Sequence, residues 1–198
     1  MKPIAKISLV LTFLFAVFTA FTPNEKFLIV IDAGHGGHDA GAKYNDIKEK
    51  DLVREIARQI VDANHDPNTE LFIIGEEDKF MDLDARVRAI NALNPSVLVS
   101  LHVNSSTDAT RRGAAAYVSP KNKFFNKSKA IANDILLALE ASPDKIVEKD
   151  LRVLQDVQCP AVTLEVAYLS NDEDRRQMAS AEGQKKLGEA IYRSVRGR

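Results

Sequence analysis

Phe27-Leu-Ile-Val-Ile31 is an unbroken apolar run rich in branched residues, and it stops at once in Asp32-Ala-Gly-His-Gly-Gly-His-Asp39. A strand that is apolar on both sides belongs in a sheet covered by helices on both faces, the setting of parallel α/β proteins. The glycine-rich loop follows the carboxyl end of that strand, where open α/β sheets place their ligands. Downstream, Leu52, Val53, Ile56, Ala57, Ile60 and Val61 recur at helical spacing, which predicts a helix from about Glu49 to Ala63. Leu71 to Ile74 is a second short strand, and Leu83 to Leu93 reads as a helix behind an Asp82 cap. Pro95 breaks the chain, and Val97 to Val103 (VLVSLHV) is the clearest central strand. Further strands are expected at Ala114 to Val118, Leu151 to Leu154 and Ala161 to Ala167, with helices at Asn126 to Glu140, Asn171 to Ala179 and Glu182 to Val195. About six strands interleaved with about five helices specify one α/β domain over residues 27–198 with a largely parallel sheet.

Upstream of the strand the chain reads differently. Lys2 and Lys6 precede an uncharged apolar run from Ile7 to Phe21, the pattern of a secretory signal peptide covering residues 1–22. The run is shorter than the roughly twenty residues a membrane span needs. Phe18 and Phe21 suit a cleavage site poorly, so a short uncleaved anchor is the alternative, and contact with the membrane would come only through this leader. Export to the periplasm or the outside is expected either way. The formal charge of −1 gives no electrostatic case for a nucleic-acid partner. The single cysteine, Cys159, excludes an internal disulfide and a thiolate-rich metal site, so any zinc here must use His and carboxylate. No apolar interface stripe is evident, and a monomer is the default expectation.

Four polar residues gather where the chemistry of such a fold belongs. His35 follows the first strand, Glu49 opens the first helix, His102 lies late in VLVSLHV, and Glu165 sits inside VTLEVAYL. Each of the first three has an ordinary explanation. A histidine in a strand is commonly a hydrogen-bonded core residue, and an acid in a first helical turn complements the helix dipole. His35 either shapes a turn or meets a phosphate-bearing group, although the loop lacks the Lys-Ser/Thr ending of a phosphate loop. Glu165 is harder to explain, because an ionised carboxylate in an apolar strand costs several kcal/mol unless it is paired or metal-linked. An ion pair with Arg152 or Arg86 would satisfy it structurally. The functional alternative is a general base with a pKa raised by burial beside a metal. Catalytic zinc takes three His or carboxylate ligands, an open position for water and a nearby base, and these four residues fill those roles.

The stretches IDAGHGGHDAGA (Ile31 to Ala42), KEKDL (Lys48 to Leu52), VSLHVN (Val99 to Asn104), RGAAAYV (Arg112 to Val118) and CPAVTLEVAYLSN (Cys159 to Asn171) carry a family resemblance. In this order they resemble the zinc-dependent N-acetylmuramoyl-L-alanine amidases, whose α/β fold is phosphorylase/hydrolase-like. The resemblance runs from about Phe27 to the C-terminus. It implies one zinc ion held by His35, Glu49 and His102, with Glu165 as the catalytic carboxylate. It also implies peptidoglycan as the partner, cleaved at the amide between the lactyl group of N-acetylmuramic acid and the L-alanine of the stem peptide. His38 and Asn104 are candidates for the site's rim: His38 as an exposed or supporting residue, Asn104 as a substrate contact or a cap on its strand. A zinc peptidase acting on the stem peptide, and a non-catalytic wall-binding regulator of the same fold, are the alternative functions. Gly75-Glu76 stands where family members commonly carry Thr-Arg, which removes a cation and leaves Arg86 and Arg88 to take its place. The stretch after Tyr117 is too short for the inhibitory helix of some cell-division amidases, and no wall-binding repeat is present. Targeting is therefore expected from the leader, the catalytic groove or a partner protein.

Overall fold

The computed structural model describes residues 26–196. Strand β1 (Phe27–Ala33) leads through a small hairpin, β2 (Lys43–Tyr44) and β3 (Ile47–Lys48), into helix α1 (Glu49–Asp62). Then come β4 (Thr69–Ile74), α2 (Leu83–Leu93), β5 (Val97–Asn104), β6 (Ala115–Val118) and α3 (Phe125–Ala138). A 3₁₀ turn at Pro143–Lys145 precedes β7 (Ile146–Glu148), α4 (Arg152–Asp156), β8 (Ala161–Tyr168), α5 (Asp172–Ala179) and α6 (Ala181–Arg196). The main sheet has six strands in the order β4-β1-β5-β8-β6-β7. All neighbours are parallel except β6 and β8, so the sheet is the mostly parallel one that the sequence predicts.

Side chains alternate across a strand, and here the alternation sorts two unequal layers. Ile29 and Ile31 of β1, Val97, Val99 and Leu101 of β5, and Val162 and Leu164 of β8 pack on one face, in a core that also takes Ile56 of α1, Ile135 of α3 and Ile191 of α6. Val30, Leu98 and Ala161 point the other way and meet Ile90 of α2 and Leu154 of α4. The first face is covered by three helices of 14, 14 and 16 residues. The second has helices of 11 and 5 residues. Toward the carboxyl ends of the strands, the residues on this second face turn polar: Asp32 after Val30, Ser100 and His102 after Leu98, Thr163 and Glu165 after Ala161. The candidate functional site occupies that stretch.

One expectation needs correction. Leu151 to Leu154 is not a strand; Arg152–Asp156 is a short helix. Its apolar residues Val153, Leu154 and Val157 are spaced to bury one helical side, and Arg152 Nε meets Asp156 Oδ2 four residues on at 2.7 Å. The sixth strand is instead β7, a three-residue edge strand whose side chains are mostly exposed. The Asp82 cap is present, its Oδ1 accepting from the Ala85 N–H at 2.7 Å. The expected leader lies outside the described residues.

Candidate active site

His35 leaves the end of β1 in the left-handed region, with φ of 67°. A non-glycine residue there costs about 1–3 kcal/mol and persists only where its surroundings hold it. They do so through Arg86, on α2, which is buried beneath the loop. Its guanidinium donates to the backbone oxygens of Ala33 and His35 and to the Asp32 carboxylate, which in turn accepts from Ser100 Oγ at 2.8 Å. Farther along, Lys50 Nζ donates to the Gly37 oxygen at 2.8 Å and to Asp78, whose Oδ1 also accepts from the Gly37 N–H. The loop is thus anchored from below and from its side.

This framework brings His35, Glu49 and His102 together. Glu49, at the first position of α1, points its Oε1 between the rings: His35 Nε2 is 2.9 Å away and His102 Nδ1 3.0 Å. The same oxygen accepts from the Val103 N–H at 2.9 Å, and Oε2 accepts from the Ala42 N–H at 2.8 Å. Burial alone would raise the Glu49 carboxyl, but the hydrogen bonds from the two imidazoles and the two backbone N–H groups outweigh it and hold the group well below the usual carboxylate range. With Glu49 as its partner, and Asp39 helping against burial, His35 is raised to about 9. One donor atom from each of the three residues falls within 4.8 Å of the others. Two imidazoles and a carboxylate converging this closely are a donor set that would suit a zinc ion.

The local backbone fits the same purpose. A Cβ at Gly34 would stand 2.4 Å from His102 Cε1. At Gly41, where φ is +64°, one would stand 2.5 Å from Glu49 Oε2 and 2.6 Å from His35 Cδ2. Glycine at these two positions is what lets the three donors converge. Asp39, which the sequence reading passed over, accepts from or shares a proton with His35 Nδ1 at 2.8 Å. That contact leaves Nε2 as the nitrogen facing Glu49, the usual arrangement of a ligating histidine backed by a carboxylate. The available signal was its position four residues beyond His35 in the glycine loop.

Glu165 pairs in register with His102 on the neighbouring strand and faces the same side of the sheet. Among the described residues its Oε2 is the buried side-chain oxygen with no hydrogen-bond partner. Neither expected cation serves it: Arg86 is committed to Asp32, and Arg152 to Asp84 and Asp156. Burial raises its carboxyl; His102 opposes the shift and the negative charge of Glu49 adds to it. His38 is exposed and lies against the Phe80 ring, centroids 4.2 Å apart, at the rim. Asn104 caps the end of β5, its Oδ1 accepting from the Ser105 N–H, and it also borders a groove beside Tyr168. Arg86 is not a free cation as expected. Glu76 points outward toward Arg58, at 3.8 Å, and Gly75 adopts a φ of +87° with the Ala33 oxygen where a Cβ would go. The Thr-Arg departure therefore falls on an exposed turn.

Known proteins share this arrangement of chain. YqiI of Bacillus subtilis (strain 168) is 30% identical over 180 residues, covering 89% of this chain and 86% of its own. The germination-specific N-acetylmuramoyl-L-alanine amidase of the same organism is 25% identical over 192 residues, covering 87% of this chain and 80% of its own. The crystal structure of an N-acetylmuramoyl-L-alanine amidase from Clostridium difficile 630 superposes with a TM-score of 0.78 at 26% identity, over 86% of this chain and 95% of that one. A family model described as N-acetylmuramoyl-L-alanine amidase matches residues 29–197, and with it the chain belongs to that family of peptidoglycan hydrolases.

Proposed function

We propose that this protein is an exported zinc enzyme that hydrolyses the amide between the lactyl group of N-acetylmuramic acid and L-alanine, with His35, Glu49 and His102 holding the metal and Glu165 moving the proton. The observation that carries the reading is the unpartnered, buried Glu165 oxygen in register with His102. A zinc ion held by the three donors would supply a Lewis acid and a water of lowered pKa. Glu165, its own pKa raised, accepts the proton of the attacking water and returns it to the departing alanine nitrogen. Asp39 fixes the His35 ring, and the Val103 and Ala42 N–H groups fix the Glu49 carboxylate, so the donors are oriented before substrate arrives.

Export rests on the Lys2/Lys6 and Ile7 to Phe21 pattern, and on the site of peptidoglycan itself. Among the described residues no helix is long and apolar enough to cross a membrane. We take the working form to be a monomer. Mass spectrometry of peptidoglycan digested by the zinc-loaded protein tests the bond cleaved. Free stem peptides with an unblocked L-alanine amine, beside intact glycan strands, are expected. Shortened stems still attached to sugar would replace this reading with a stem-peptide carboxypeptidase.

A further inference from the structure

Beside the Glu165 edge of the site lies a groove bordered by Asn104, Arg111, Tyr117, Lys145, Val147 and Tyr168. It is built on the last strands of the sheet. In the antiparallel pairing of β6 with β8, Ala115 sits opposite Glu165 and Tyr117 opposite Thr163, so the groove floor continues the face that carries Glu165. Burial and then the Glu165 charge raise the Tyr117 phenol, which puts ring and carboxylate within electrostatic reach.

The cations that line this groove, and Lys149 beside it over the Tyr117 ring, are unevenly committed. Arg112 is paired with Glu173, and Lys145 Nζ donates to the Arg112 backbone oxygen at 3.0 Å. Arg111 and Lys149 have no ion pair among the described residues. The Arg111 guanidinium stands 5.4 Å from the centre of the Tyr168 ring, and Lys149 Nζ stands 5.6 Å from that of Tyr117. Both distances are within cation–π range, so each exposed head is steered over an aromatic floor; Lys149 also acts through its charge on Glu165, without forming an ion pair with it. Asp108, the acid nearest Arg111 in sequence, is hydrogen-bonded by the N–H and hydroxyl of Thr110 and feels the Arg111 charge only at longer range, with no ion pair between them. Two uncommitted cations above two tyrosines make a receptor for a carboxylate, with Arg111 able to grip it bidentately.

The direction of the reaction says which carboxylate. On the mechanism proposed above, Glu165 gives its proton to the departing nitrogen, so the peptide half of the substrate lies on the Glu165 side. The opposite side, past His35, opens between Phe80, Met81 and Leu83; its charges are the acids Asp39 and Asp82 and the Arg86–Asp32 pair, which do not suit a carboxylate. We infer that Arg111 and Lys149 form a subsite for the free carboxylate of the acidic residue that follows L-alanine in the stem peptide, and that they set a preference for free-acid over amidated stems. This inference rests on the proposed function.

Its test uses the zinc-loaded protein and two synthetic substrates, N-acetylmuramoyl-L-alanyl-D-glutamate and the corresponding isoglutamine amide, each with its γ-carboxyl blocked as the N-methylamide, together with NMR titration of the released dipeptides. The free acid is expected to show a KM about tenfold lower, equivalent to about 1.4 kcal/mol, with similar kcat. Its dipeptide should bind more tightly by a similar factor. The double variant Arg111→Gln, Lys149→Gln should lose the preference, with KM on the acid rising to that on the amide, and Arg111→Lys should keep part of it. Equal KM for acid and amide in the unaltered protein would overturn the subsite, and so would an equal loss on both substrates in the double variant. Failure to cleave either substrate would instead contradict the proposed function, and the dipeptide titration would still decide whether the groove prefers the acid.

Discussion

The two faces of the sheet use the same strands and differ in how far they are covered. On one, α1, α3 and α6 bury branched residues along the whole length of β1, β5 and β8. On the other, α2 and the five-residue α4 cover Val30, Leu98 and Ala161 and then stop. Beyond them the same strands present Asp32, Ser100, His102, Thr163 and Glu165. The covered face holds the fold together; on the half-covered face Asp32, Ser100 and Thr163 are buried as well, and His102 and Glu165 are the partly accessible groups. Glu49 crosses between them, because it begins a helix of the covered face and reaches over the carboxyl ends of the strands to the imidazoles.

Substitutions on either face should therefore separate chemistry from stability. His102→Ala removes a donor from the half-covered face. It should weaken zinc binding by more than the ~10–100-fold typical of losing an outer partner, and take activity with it, while the thermal midpoint of the metal-free protein barely moves. Ile135→Ala, in α3 against the opposite face, should do the reverse. Ile135 is fully buried, so a loss of about 2–5 kcal/mol in denaturant unfolding is expected, with zinc content unchanged in the folded fraction. Asp39→Ala should loosen the His35 ring and weaken zinc affinity about 10–100-fold, read by competition with a chelator, without a comparable loss of stability.

The smallest effect concerns the loop that frames the half-covered face. Asp78 is lowered to about 2 by Lys50, the Gly37 N–H and Arg54. A carboxyl depressed on folding adds stability above its unfolded pKa of 3.8, and that contribution is lost as the pH falls through about 2. Between pH 4 and pH 2 the thermal midpoint of the unaltered protein should fall more steeply than that of Asp78→Asn, and equal slopes would show that this anchor contributes nothing.

The division between the faces is partly visible in the sequence. Alternation in VLVSLHV puts Leu98, Ser100 and His102 on one side, and VTLEVAYL does the same for Thr163 and Glu165, so the polar ends of both strands could be read directly. The helices α1, α2 and α6 are legible because each repeats apolar residues over at least 11 positions. The five residues of α4 are too few to show a period, and with Val153 beside Leu154 they look like a strand. β7 takes its place in the sheet by edge pairing with β6, which no local pattern announces. The Arg86–Asp32 pair joins residues 54 apart in sequence and forms only when α2 docks on the sheet. For that reason a cation that looked available to substrate proves to be part of the support for His35.

The most direct test is to measure zinc content and turnover together in Glu165→Gln. With the carboxylate replaced by an amide of the same shape, the variant should bind one zinc as the unaltered protein does and lose about 10²–10⁴-fold in kcat on peptidoglycan, the loss expected of a general base. A variant that keeps its turnover, or that loses the zinc along with it, would contradict the assignment of Glu165 as the proton carrier beside a metal held by His35, Glu49 and His102.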